Sequence, residues 1–289
     1  MTSHLLRLLY VFIAFSLLTA CITPPALPVK TNPTGVATPT VAQLANFDQQ
    51  PWAATSPDNL WQVEGLTALP QAGGEQYYTE MRVKKADGSA EWLPVAAWRN
   101  FGLGYTVPHP VHWSPDGRYL YFTNAPVPDG CGLFVNASDL QHLNLAEGTV
   151  TEVLPYGLTW SLAIAPNGKT VAYSKDDQLY LLDLFTEDYA SVRVEGLEPN
   201  AMWGNFIWSP DSQQLVFTIA YAPCQPPTWR HALLSMDVQS LSVTTLLEPD
   251  QRRFTITEWT TATQLLLTDA EKQPWVLDIA SGALSQGTE

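Results

Sequence analysis

Residues 113–122 read Trp113-Ser114-Pro115-Asp116-Gly117-Arg118-Tyr119-Leu120-Tyr121-Phe122. An apolar segment, Val111 to Trp113, leads into a four-residue turn, and a second apolar segment leads out. Proline presets φ at the first corner of such a turn, and the following Asp-Gly tolerates positive φ. The pattern returns as Ile164-Ala165-Pro166-Asn167-Gly168-Lys169-Thr170-Val171-Ala172-Tyr173, and again as Trp208-Ser209-Pro210-Asp211-Ser212-Gln213-Gln214-Leu215-Val216-Phe217. Self-similarity on this scale indicates a radial or stacked array of small sheets.

Between these turns the chain consists of short apolar segments separated by Gly, Pro, Asn and Asp, with no long helical periodicity. Aligning the turns gives five modules. The first holds the turn Ser56-Pro57-Asp58-Asn59, then Leu60–Val63, Glu80–Val83 and Trp92–Val95. In the second, the third strand is expected over Gly132–Asn136 and the fourth over Val150–Leu154. The third module holds Ser161–Ile164, Thr170–Ser174, Gln178–Asp183 and Ser191–Val194. The fourth holds Asn205–Trp208, Leu215–Ile219, Ala232–Asp237 and Ser242–Leu247. The fifth holds Thr255–Trp259, Gln264–Thr268, Trp275–Asp278 and Ala283–Ser285. Asp183, Asp237 and Asp278 close the third strand of their modules, with Asn136 expected in that place in module two.

Four antiparallel strands per module of roughly 45–55 residues is the blade of a β-propeller, an all-β architecture in which blades cover one another's faces and leave only short edges. The Trp-Ser-Pro-Asp-Gly turn followed by an apolar strand resembles the WD-like repeat of TolB-type propellers, from about Ser56 to Gly287. The resemblance implies fold. It says little of function, because this blade serves scaffolds, binding proteins and enzyme accessory domains alike. Five modules are counted and six are possible, since the first is long. Ala45–Ala54 is expected to add a closing strand to the last blade.

The N-terminus reads as a targeting segment. Arg7 precedes an apolar run, Leu8 to Leu18, too short to span a bilayer. Leu18-Thr19-Ala20-Cys21 resembles the lipobox of bacterial lipoproteins, which implies cleavage before Cys21 and lipidation of its sulfur. Two or three acyl chains hold a protein on a membrane stably. Residues 21–50 follow as a tether rich in Pro and Thr, unable to bury enough apolar surface to fold. The propeller is expected over residues 51–289. Its expected place is the cell membrane or outer membrane, facing the periplasm or the exterior.

Composition narrows the partners. Net charge is −14 and the isoelectric point about 4.6, which argues against nucleic acid, whose phosphates need a basic surface. Apolar residues make up 46% of the chain and it has eleven Trp, enough to fill a sizeable core.

Set aside Cys21, and Cys131 and Cys224 remain. Both fall between the second and third strands of their blades, so their loops emerge on one face. A Cys131–Cys224 disulfide suits an exported protein. His109-Pro110-Val111-His112 has the residues of a metal pair but not the geometry, because strand positions three apart face opposite sides. No cofactor and no metal is expected. No catalytic constellation is present: the sequence lacks a Gly-x-Ser-x-Gly elbow, a phosphate loop and a His-Glu-x-x-His pair.

The candidate binding surface is the face carrying the two long loops, with Tyr105, His109, Trp160, Trp203, Asn205, Trp229, Arg230 and His231. Trp and Tyr beside Arg and Asn are common where proteins and glycans are recognised. The expectation is a lipid-anchored, non-enzymatic propeller that binds a protein or glycan at the bacterial cell envelope. The alternatives are a hydrolase or lyase working in the propeller funnel on envelope or extracellular material, and a structural subunit of an envelope complex.

Overall fold

The structure is a computed structural model and describes residues 39–128 and 133–287. Cys21 and Cys131 lie outside the described residues. A single helical turn, α1 (Val41–Leu44), is capped by Thr40, whose side chain accepts from the Gln43 amide.

Among the described residues twenty strands follow, in five sheets. Blade 1 is β1 (Phe47–Thr55), β2 (Trp61–Pro70), β3 (Gln76–Lys85) and β4 (Glu91–Asn100). Blade 2 is β5 (Thr106–Trp113), β6 (Tyr119–Pro126), β7 (Leu140–Asn144) and β8 (Val150–Leu154). Blade 3 is β9 (Ser161–Ile164), β10 (Thr170–Lys175), β11 (Gln178–Asp183) and β12 (Tyr189–Arg193). Blade 4 is β13 (Met202–Trp208), β14 (Gln214–Tyr221), β15 (Arg230–Asp237) and β16 (Val243–Asp250). Blade 5 is β17 (Thr255–Thr261), β18 (Gln264–Thr268), β19 (Pro274–Asp278) and β20 (Ala283–Gln286). Every sheet is an antiparallel meander with its strands in chain order. The fold is a β-propeller, of the kind the TolB-like turns imply.

The repeated turn has a specific chemistry. In blade 2, the Ser114 hydroxyl donates to Asp116 at 2.7 Å, and the same carboxylate accepts the Arg118 amide at 3.1 Å. The Tyr119 amide donates back to the Ser114 hydroxyl at 2.8 Å. Ser56 and Asp58 repeat this in blade 1, and Ser209 and Asp211 in blade 4. Each Asp is held below the ordinary carboxylate range, first by the serine donor. Blade 3 has Ala165 in place of the serine and keeps only the second half, with the Lys169 amide donating to Asn167 at 2.8 Å.

Apolar residues of consecutive blades pack face to face. Val63, Met81 and Val83 meet Leu120, Phe122 and Leu143 between blades 1 and 2. Blades 3 and 4 enclose Leu179, Trp208, Phe217 and Met236, and blades 4 and 5 enclose Val216, Leu233, Leu265 and Leu277. Each fully buried side chain of this size stabilises the fold by about 1.5–3 kcal/mol. Tryptophans lock the blades at their polar edges too. Trp208 Nε1 donates to the Ala163 carbonyl of the preceding blade at 3.0 Å, and Trp259 Nε1 reaches Ile207 in the same sense at 3.5 Å.

Three expectations are corrected. Phe47–Thr55 does not close the last blade: it is the first strand of blade 1, paired with β2 from Phe47↔Pro70 to Thr55↔Gln62. The Ser56 turn binds it to β2 as the Ser114 turn binds β5 to β6. It also takes in residues 47–50, assigned above to the tether. Second, the third strand of blade 2 is Leu140–Asn144, and the described part of the expected Gly132–Asn136 strand, residues 133–136, forms none. Third, Asn144, not Asn136, closes that strand, its Oδ1 accepting the Ala146 amide at 3.0 Å as Asp183 accepts Phe185.

Candidate functional site

The connections entering β5, β7, β9, β11 and β13 converge on one end of blades 2, 3 and 4. Among the described residues they line a cavity of about 650 Å³, with Trp160, Trp203, Tyr156, Phe134, Leu103 and Asp176 in its wall. A second hollow of about 420 Å³ shares Leu103, Gly104 and Tyr156 with it and adds Tyr77, Arg99, Phe101 and Tyr105. The two form one groove with aromatic walls. Its rim stands in solvent: Leu103 is 90% exposed, Tyr156 69% and Trp160 61%.

The groove is held from below by hydrogen bonds. The segment after β6 is stitched to blade 3, where the Asn136 amide donates to the Trp160 carbonyl at 3.0 Å. The Asn136 side chain brackets Leu162, accepting its amide and donating to its carbonyl, each at 2.9 Å. Deeper down, buried Asp139 accepts from the Asn124 amide and Asn124 Nδ2, both at 2.6 Å, and from Gln141. Arg99 joins the network, donating to Asn124 Oδ1 at 2.8 Å and Thr106 Oγ1 at 2.7 Å. A buried carboxylate this well supplied with donors fixes the loop that bears it.

Of the residues expected from the sequence, Tyr105, Trp160 and Trp203 line the groove. Tyr105 packs edge-on to Tyr77 with centroids 5.3 Å apart, and burial raises its hydroxyl's pKa. Trp203 is buried, and its Nε1 donates to the Asp176 carbonyl at 3.0 Å. The others lie elsewhere. His109 is exposed on β5 and lines neither hollow. Asn205 donates to Ile256 at 3.3 Å, tying blade 4 to blade 5.

Trp229, Arg230 and His231 form a separate group on blade 4. His231 Nε2 accepts from Trp229 Nε1 at 3.1 Å, so the ring proton sits on Nδ1 and donates to the Phe254 carbonyl at 3.0 Å. Burial is the main force lowering the pKa of His231 and keeping it neutral. Arg230 pairs with Glu198 at 2.6 Å. These side chains are engaged with one another and with the segments before and after blade 4. Cys224 lies on the loop after β14, with its expected partner Cys131 outside the described residues.

Sequence reading missed Tyr156, Leu103, Phe134 and Phe101. Tyr156 sits in Pro155-Tyr156-Gly157, and an aromatic beside a turn glycine just before an inner strand was its available signal. Among the described residues, no group of three or more His, Cys, Asp or Glu comes together as a metal site. No described helix is long and apolar enough to cross a membrane.

No protein-family model matches the chain, and no curated protein matches it in sequence. Solved structures do match. Porphyromonas gingivalis dipeptidyl peptidase 4 is 10% identical with a TM-score of 0.54, the match covering 88% of this chain and 42% of the peptidase. The β-propeller domain of the Trilobed protease from Pyrococcus furiosus is 12% identical with a TM-score of 0.49, over 78% of this chain and 68% of that one. A protein assigned as TolB from Agrobacterium tumefaciens is 15% identical with a TM-score of 0.35, over 69% of this chain and 82% of that one. The chain thus spans about two fifths of the peptidase, and at such identities that likeness is one of fold.

Proposed function

We propose that the chain is a lipid-anchored, non-enzymatic β-propeller of the bacterial cell envelope, and that its aromatic groove binds a protein or glycan partner. The observation that carries this reading is the groove itself. A concave surface of this volume, lined by aromatic and aliphatic side chains with few polar groups, is the usual form of a binding site. Tyr and Trp supply large contact area at a low cost in lost rotamer freedom. The lipobox at Cys21 supports the anchor, and the Pro/Thr-rich stretch that follows it supports a spacer between bilayer and blades. Asn136 and Asp139 tie the described walls they carry to blades 2 and 3, so those walls need little ordering when a partner arrives.

The test is photo-crosslinking on intact cells. A photoreactive residue at Leu103, on the groove rim, is expected to capture a partner. The same residue at Phe185, exposed on the turn between β11 and β12, is expected to capture none. Equal yields from the two positions would refute the groove as the binding surface. Cys21→Ser is expected to move the protein from the membrane to the soluble fraction, and a protein still on the membrane would refute the lipid anchor.

A further inference from the structure

The groove's larger cavity has an uneven chemistry. Trp160, Trp203, Tyr156 and Phe134 give it aromatic walls, Asp176 is the one carboxylate in its described lining, and that lining contains no Lys, Arg or His. Asp176 is also held in an unusual way. It is the first residue of the two-residue turn between β10 and β11, where Lys175 pairs with Gln178, and its φ is +53°. Left-handed backbone is uncommon outside glycine, although Asp and Asn tolerate it best. The Trp203 indole N–H clamps the Asp176 carbonyl at 3.0 Å, which keeps the turn in place.

With its carbonyl engaged, Asp176 shows no hydrogen bond or ion pair from its side chain, whereas its neighbour Asp177 is paired with Arg193 at 2.8 Å. Lys175 does not line the cavity, although Ser174 and Asp176 on either side of it do.

We infer that this cavity selects an organic cation: a ligand group with an apolar body and a substituted ammonium head, which seats against the aromatic faces and pairs with Asp176. The inference rests on the groove being the binding surface and narrows what enters it. The physical reasons are three. Aromatic faces attract cations through the negative face of the ring, most strongly with tryptophan. Asp176 is exposed at the cavity, and as the one carboxylate in the described lining it favours a positive group there over an anion. The net charge of −14 draws cations toward the protein and repels anionic ligands.

The test compares two probes that differ only in their head group, 4-phenylbutylamine and 4-phenylbutan-1-ol. Calorimetric titration uses the full chain in nonionic detergent at pH 7 and low salt. The amine is expected to bind about tenfold more tightly than the alcohol. Asp176→Asn, which keeps a residue suited to the left-handed turn, is expected to abolish that ratio and leave the affinity for the alcohol unchanged. Trp160→Ala is expected to weaken both probes. Equal affinity for the two probes, a ratio that survives Asp176→Asn, or no binding of either would overturn the inference. If the amine fails while crosslinking from Leu103 still captures a partner, the inference falls and the groove reading stands. If Leu103 captures nothing as well, both fall.

Discussion

Replacing Trp208 by phenylalanine removes one lock between blades 3 and 4 and leaves the turn that follows it intact. Trp208 is 7% exposed, and its Nε1 donates to the Ala163 carbonyl at 3.0 Å. Loss of that donor costs about 1 kcal/mol. The phenyl ring also lacks two of the indole's carbons in a packed apolar cluster, at about 0.8 kcal/mol each. Together these predict a loss of about 2.5 kcal/mol. For a domain of this size, a urea m-value of about 3 kcal/mol per molar turns that into a midpoint lowered by about 0.8 M. The assay is equilibrium urea denaturation followed by far-UV circular dichroism. Trp160→Phe is the control: that residue is 61% exposed and the change is expected to cost less than about 0.5 kcal/mol. A Trp208→Phe midpoint within about 0.3 M of wild type, at unchanged m, would refute the interblade lock.

Further predictions concern the turns and the cysteines. Gly117 and Gly168 occupy the same turn position at φ of +68° and +67°, but a Cβ at Gly117 meets open space while one at Gly168 would lie 2.3 Å from Pro115 Cδ of the neighbouring blade. Gly117→Ala is expected to cost about 1–2 kcal/mol for the left-handed backbone alone, and Gly168→Ala about 2 kcal/mol more; equal costs by urea denaturation would sink the interblade contact. Asp58, Asp116 and Asp211 have folded pKa values below the ordinary 3.8, so the stability they contribute is present above that pH and is lost as pH falls through the folded values. The triple variant Ser56→Ala, Ser114→Ala, Ser209→Ala is therefore expected to be less stable than wild type at pH 7, by a margin that narrows below pH 4; a margin independent of pH would contradict the role given to the serines. We propose that Cys131 pairs with Cys224, because in the sequence both stand between the second and third strands of their blades. Thiol titration of the unfolded domain without reductant is expected to find neither thiol free, and two free thiols would end the proposal.

The turns were legible because their causes are local. Serine, aspartate and the amides they bind lie within five residues of one another, so the motif carries its own hydrogen bonds. The third strand of blade 2 was not legible for the opposite reason. Gly132-Leu133-Phe134-Val135-Asn136 has the stronger β-forming composition, and Leu140-Gln141-His142-Leu143-Asn144 the weaker. Tertiary structure overrides that preference: Phe134 takes a left-handed φ of +60°, and Asn136 spends its hydrogen bonds on Trp160 and Leu162 of the next blade. The site divides in the same way. Trp160 and Tyr105 could be placed from their positions just before inner strands. Whether Trp229 and His231 face a ligand or each other depends on Phe254, more than twenty residues away, and no local pattern reveals it.

Each of the five sheets is cut from one unbroken length of chain, since β1 pairs within blade 1 rather than clasping blade 5. A nick in the exposed link between β4 and β5, at residues 101–104, would sever no strand pair. It would yield a one-blade piece and a four-blade piece, each with its ladders whole. The pieces are joined by the interblade packing of Val63, Met81 and Val83, by the bond from Trp92 Nε1 to the Leu145 carbonyl at 3.0 Å, by the Arg99 bonds to Thr106 and Asn124, and by the bonds between the Tyr77 hydroxyl and the Thr106 backbone. The link is therefore a natural place to divide the chain into two fragments that reassemble when mixed. It borders the groove, so a reporter built on that split would test whether a ligand enters there.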